Sequence, residues 1–145
     1  MKKTLIVLLI LFFIIILMFF MLKINIESSE RNIKSFNMEY EQYLEQEIYG
    51  TDIATLINKA IDNNNQYEIQ KDEDGLYIDD NKYYIGIKLK FIEGSLVYDM
   101  ETIEKVGISE FIQNFNLMKF KCTEIQYHTE TNRVKQMIFE EIEEW

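Results

Sequence analysis

Apolar positions fall into three regimes along the chain: one continuous run, then spacings of three and four, then strict alternation. The run is Thr4 to Leu22, TLIVLLILFFIIILMFFML, 19 residues without a charge, a Gly or a Pro. As a helix it spans about 28 Å, close to the roughly 30 Å hydrocarbon thickness of a bilayer. Helix is the state expected there, because lipid offers backbone N–H and C=O groups no partner. The run is longer than the core of a cleaved signal peptide, and Lys23-Ile24-Asn25-Ile26-Glu27 follows it in place of small cleavage-site residues. It also lacks a Cys at its end that could carry a lipid. It therefore reads as an uncleaved transmembrane signal anchor. Lys2, Lys3 and the amino terminus precede it, while Lys23, Arg31 and Lys34 follow. The compact basic tail favours residues 1–3 in the cytoplasm and residues 23–145 outside it, in a single pass through the cell membrane.

Beyond the anchor, Ile33, Phe36, Tyr40, Tyr43, Leu44 and Ile48 recur at spacings of three and four, which predicts an amphipathic helix over Ile33–Ile48. Ser28, Ser29 and Asn32 are suitable caps for its start. The stripe is too short for a sustained coiled coil, so it is expected to pack on the domain's own sheet. Gly50 breaks this pattern. Thr51 or Asp52 can then cap a second helix to about Asn63, with Ile53, Ala54, Leu56, Ile57, Ala60 and Ile61 on its inner stripe. Asn58 shares that face and reads as a satisfied buried amide. Asn63-Asn64-Asn65 is expected to end the helix.

From there the period is two. Tyr67–Lys71 is a short candidate strand, and Asp72-Glu73-Asp74-Gly75 is a turn. In Tyr83–Phe91, Tyr83, Ile85, Ile87, Leu89 and Phe91 point one way, and Tyr84, Gly86, Lys88 and Lys90 the other. One dry and one wet face indicates an antiparallel sheet. Glu93-Gly94 turns the chain into a strand over Ser95–Tyr98. Helix is expected between Glu101 and Phe115, interrupted at Gly107 and recapped by Ser109. Lys119–His128 and Arg133–Glu140 read as a hairpin, with a parity change near Thr123 that predicts a bulge. Helices followed by strands define an α+β fold: a transmembrane helix, then one or two amphipathic helices packed on a small antiparallel β-sheet.

Composition narrows the choice of partners. Residues 23–145 hold 13 basic and 25 acidic side chains, a formal charge of −12. Such a domain repels phosphate backbones and anionic headgroups, so nucleic acid is excluded as a partner and membrane lipid is expected to touch only the anchor. Cys122 is the single cysteine, which precludes an intrachain disulfide. Proline is absent where average usage of about 5% would give about seven. With 23 Ile and 11 Asn, this indicates A- and T-rich coding and a bacterial source.

Candidate chemistry is sparse. Asp72, Glu73, Asp74, Asp79 and Asp80 invite a calcium reading. Placing Gly75 at the sixth position of an EF-hand loop puts Gln70 first and Asn81 twelfth, so the bidentate Glu is missing. Two polar turns around a short strand account for the same residues. His128 is the only histidine and sits beside a turn, where a surface position is expected. Cys122 and His128 share a strand face but lie about 20 Å apart at 3.3 Å per residue, too far for a nucleophile–base pair. Cys122 is then a small core hydrophobe. The acidic end, Glu140 to Trp145, reads as the solvated end of the last strand, with a docking tail bearing an aromatic anchor as the other reading. None of the phosphate-binding, nucleophile-elbow or zinc-protease motifs occurs. No catalytic, cofactor-binding or metal-binding residue is assigned and no cofactor is expected.

The layout of a hydrophobic N-terminal helix leading through an amphipathic helix to a small sheet is similar to that of type IV pilins and pseudopilins. The prepilin signature itself is missing: Met1-Lys2-Lys3 abuts the apolar run, and no acidic residue lies within it. The segments Phe36–Glu41 and Gly50–Ala60 also resemble singly anchored bacterial envelope proteins of uncharacterised activity. The resemblance brings no activity with it; the anchor and the lack of recognisable chemistry together point to a non-enzymatic interaction or accessory subunit of a cell-envelope assembly, with a protein partner. The alternative is an extracytoplasmic ligand- or cation-binding sensory module that uses the Asp72–Asp80 turns.

Overall fold

A computed structural model describes residues 2–93 and 96–143. The first element, α1 (Lys2–Glu41), is one unbroken helix. It joins two segments that the sequence pattern separates, and Ser28, Ser29 and Asn32 lie inside it instead of capping a new start. The intervening stretch contains no Gly or Pro to break it. Local side-chain contacts support it: Lys23 and Glu27 lie 3.9 Å apart, and Arg31 Nε donates to the Glu27 carbonyl.

The chain divides into two compact units, at Ser35 and Phe36. In the first, every large apolar side chain from Ile6 to Leu22 is exposed. With a mean hydropathy of 3.2, this is a helix long and apolar enough to cross a membrane.

The second unit is α+β. The last turns of α1 place Tyr40 in its core, with Phe36 and Tyr43 packed around it. The stripe expected to continue to Ile48 stops at Glu41. A turn with Glu45 at φ 62° follows, and Glu47–Tyr49 forms strand β1. The reason is tertiary: β4 (Lys119–Tyr127) has an open edge, and β1 pairs with it, Ile48 opposite Phe120. Gly50 opens α2 (Gly50–Gln66) and closes no earlier helix. A Cβ on Gly50 would lie 2.0 Å from the carbonyl oxygen of Phe115, so only glycine permits this approach. Asp52 sits in the first turn, where its carboxylate accepts from the Tyr49 N–H.

α2 buries Ile53, Ala54, Leu56, Ile57 and Ala60, the expected stripe, with Ile61 packed beside it. Asn58 is exposed, not the buried amide expected, and the buried amides are Asn63 and Asn64. Asn64 accepts from the Ile85 N–H at 2.8 Å and donates to the Ile85 carbonyl at 2.9 Å, while Asn63 donates to the Tyr83 carbonyl at 2.7 Å. The helix therefore continues past the Asn run, because the Asn63 and Asn64 side chains bond to distant backbone and leave the local backbone helical. Tyr67–Lys71 is no strand; its one ladder contact is an isolated bridge from Lys71 to Tyr77. The turn at Asp72–Gly75 forms as expected, with Gly75 at φ 80°.

The remaining elements are β2 (Gly86–Lys90), β3 (Val97–Asp99), α3 (Met100–Val106), α4 (Ile108–Phe115), β4, and β5 (Val134–Glu141). The helical stretch is interrupted at Gly107, φ 114°, as its sequence predicts. Gly107, not Ser109, holds the N-cap position of α4. The β4–β5 hairpin carries its register shift between Cys122 and Glu124, at the expected bulge. Gly94, Ser95, Glu144 and Trp145 lie outside the described residues, so the Glu93-Gly94 turn and the end of the acidic tail do as well.

Among the described residues, five strands form one sheet in the order β1-β4-β5-β2-β3. Every neighbouring pair is antiparallel except β2 and β5, which run parallel with Ile87 opposite Met137. Ile85, Ile87, Leu89, Phe120, Met137 and Phe139 meet α2 and Met100 in the core. Both edge strands have three residues, a length that limits edge-to-edge association.

Candidate functional site

Two loops converge on one buried imidazole. The first is the segment between α2 and β2. Its Asp79 Oδ1 accepts from the Asn81 N–H at 2.8 Å. Asp80 Oδ1 gathers the N–H groups of Lys82, Tyr83 and Tyr84 at 2.9, 2.7 and 3.0 Å. Such turns suit Asp, whose short carboxylate reaches backbone donors two to four residues ahead. The second is the β4–β5 turn, closed by His128 N–H to the Arg133 carbonyl and Asn132 N–H to the His128 carbonyl, both 2.9 Å. Thr131 Oγ1 donates to the Lys82 carbonyl at 2.9 Å and ties the two loops together.

His128 is only 2% exposed, which corrects the expected surface position. Its Nε2 lies 2.7 Å from the Tyr84 carbonyl. Its Nδ1 is buried and has no hydrogen-bond partner among the described residues. The nearest charge is Asp79 Oδ1, at 3.7 Å. Asp79 Oδ2 pairs with Lys135 Nζ at 2.5 Å. Ligand atoms of His128, Asp79 and Asp80 all lie within 4.8 Å of one another. Burial pushes both carboxyls upward. Hydrogen bonds outweigh it, from Lys135 and the Asn81 N–H on Asp79 and from three backbone N–H groups on Asp80, so both titrate below the ordinary Asp value. Asp72, Glu73 and Asp74 do not join this group. Asp72 Oδ1 is occupied by the N–H groups of Asp74 and Leu76 in its own turn.

A buried guanidinium stands nearby. The Arg133 guanidinium lies 3.6 Å from the centre of the Phe36 ring and 5.1 and 5.3 Å from those of Tyr67 and Tyr83, which stack on each other at 4.3 Å. Its Nη2 donates to Asn63 Oδ1 at 3.3 Å. Asn37 then clamps the hairpin, accepting from Val134 N–H and donating to the Asn132 carbonyl. Sequence spacing gives no sign of this polar layer, because each bond joins residues far apart in the chain.

The other chemistry-bearing residues sit in structural roles. Cys122 is fully buried, and burial pushes its thiol up to about 11, which matches a small core residue. Burial also raises the Glu101 carboxyl, which accepts from the Tyr77 N–H at 3.4 Å. Within the acidic tail, Glu140 pairs with Lys90 and Glu141 accepts from the Ile92 N–H. A cavity of about 140 Å³ lies under α3 and α4, lined mainly by apolar side chains including Phe91, Tyr98, Phe111 and Phe115.

Fold and site together describe an α+β protein with one membrane-compatible helix and a buried histidine facing two carboxylates. Comparison of the chain with protein-family models, with curated proteins and with solved structures finds no match in any of the three.

Proposed function

We propose that this protein is a single-pass, membrane-anchored accessory subunit of a cell-envelope assembly, with its acidic domain on the extracytoplasmic side and protein contact, not catalysis, as its action. The observation that carries this reading is the Ile6–Leu22 surface, apolar on all sides and exposed throughout. In water such a surface costs about 25 cal/mol per Å², and a bilayer removes that cost. The unbroken α1, whose last turns enter the core of an α+β unit, accords with the pilin-like layout.

The formal charge of −12 over residues 23–145 fits a basic protein surface as partner. The apolar stripe of Phe36, Tyr40 and Tyr43 is engaged within the unit's own core and is therefore not the contact. Crosslinking in intact cells, followed by recovery from the membrane fraction, should yield a defined heteromeric adduct, and protease added to spheroplasts should remove the domain. Recovery of the monomer alone would sink the reading. A protease-resistant domain would reverse its orientation.

A further inference from the structure

We infer that His128, Asp79 and Asp80 form a binding site for one divalent transition-metal ion of the zinc type. This goes beyond the proposed envelope role and does not depend on it.

A carbonyl oxygen can only accept, so the 2.7 Å contact with Tyr84 places the imidazole proton on Nε2. In the neutral ring, the form that binds a metal, the lone pair is then on Nδ1. Nδ1 is buried, has no hydrogen-bond partner among the described residues, and faces the Asp79 carboxylate at 3.7 Å. Two acceptors facing each other at this distance form no hydrogen bond. A cation between them satisfies both. Orientation of the ring by a backbone carbonyl on its far nitrogen is the outer arrangement that metal-binding histidines use.

Both carboxylates are held in place as well. Lys135 takes Asp79 Oδ2, while Oδ1 accepts from the Asn81 N–H and lies toward the ring. Three backbone N–H groups fix Asp80 by its Oδ1. Asp80 is exposed, so an ion can enter from its side and complete its coordination from solvent. One imidazole nitrogen with carboxylate oxygen selects a borderline ion; calcium and magnesium favour oxygen alone.

The test uses the full chain in detergent, purified without a histidine tag and stripped with chelator. Zinc sulfate is titrated calorimetrically, and the loaded protein is examined by X-ray absorption at the zinc edge. The expected result is one equivalent bound, with an imidazole signature that only His128 can supply, as the sole histidine. Asp79→Asn and Asp80→Asn keep an amide oxygen for the backbone donors, and each should weaken zinc by about tenfold or more. Calcium should not displace it. No uptake, an all-oxygen shell, or unchanged affinity in both variants would each overturn the site. No uptake together with a doubly protonated His128 in nitrogen NMR would establish a plain His128–Asp79 ion pair instead. Should either variant lose its circular dichroism, the imidazole signature of the unsubstituted chain decides.

Discussion

Asn64 does with one side chain what a neighbouring strand does with backbone, serving both the N–H and the C=O of Ile85. Asn64→Leu would leave both groups buried and unpaired, at about 1–3 kcal/mol each. Urea unfolding should therefore show a loss of roughly 3 kcal/mol or more, whereas Asn58→Leu on the exposed face should change stability by less than about 0.5 kcal/mol. Cys122 gives a pH-dependent test. Its unfolded value is 9.0 and its folded value about 11. Between these the unfolded chain gives up a proton that the folded chain keeps, so stability falls as pH rises through that window. Cys122→Ala should flatten the fall, and at pH 8 a maleimide should label the thiol only after unfolding. At this scale the sequence was a partial guide. The burial of Cys122 was legible from strand alternation. That of His128 was not, because it depends on Tyr84, 44 residues upstream. The Asn run misled for the same reason: local propensity reports helix breaking, while the bonds that keep α2 helical come from 20 and 21 residues away.

Elements were more legible than residues wherever their cause was local. The α2 stripe, the break at Gly107, the β4–β5 hairpin and its bulge all follow from period and turn chemistry, and all form as expected. The boundary at Glu41 was not legible, because β1 exists only where β4 offers an edge. Tyr67–Lys71 fails as a strand for the converse reason: no neighbouring strand lies beside it beyond the single bridge to Tyr77. Gly50 looked like punctuation and proved to be a packing requirement, with α2 starting against the Phe115 carbonyl at the end of α4. Gly50→Ala has no room and should cost about 1–3 kcal/mol as the two helices separate, read as a lowered urea midpoint with an unchanged slope. Stability equal to that of the unsubstituted chain would mean that α4 yields freely there.

For the whole molecule, the Ile6–Leu22 run and the sheet core each have their own test. Arginine at both Ile10 and Ile14 costs about 2.5–3.5 kcal/mol per residue at the centre of a span. The chain should then leave the carbonate-resistant membrane pellet; continued pelleting would place its attachment elsewhere. The sheet order carries a consequence for biogenesis. β5 is the last of the five strands to be synthesised and occupies the middle of the sheet, parallel to β2 on one side and antiparallel to β4 on the other. Pairs such as Gly86 with Gln136 cannot close until some fifty later residues have emerged. Until then α2, β2 and β3 lack their central partner and expose the apolar side chains that β5 will cover. If this domain crosses a membrane during synthesis, it does so as an open chain, because the strand that completes it arrives last.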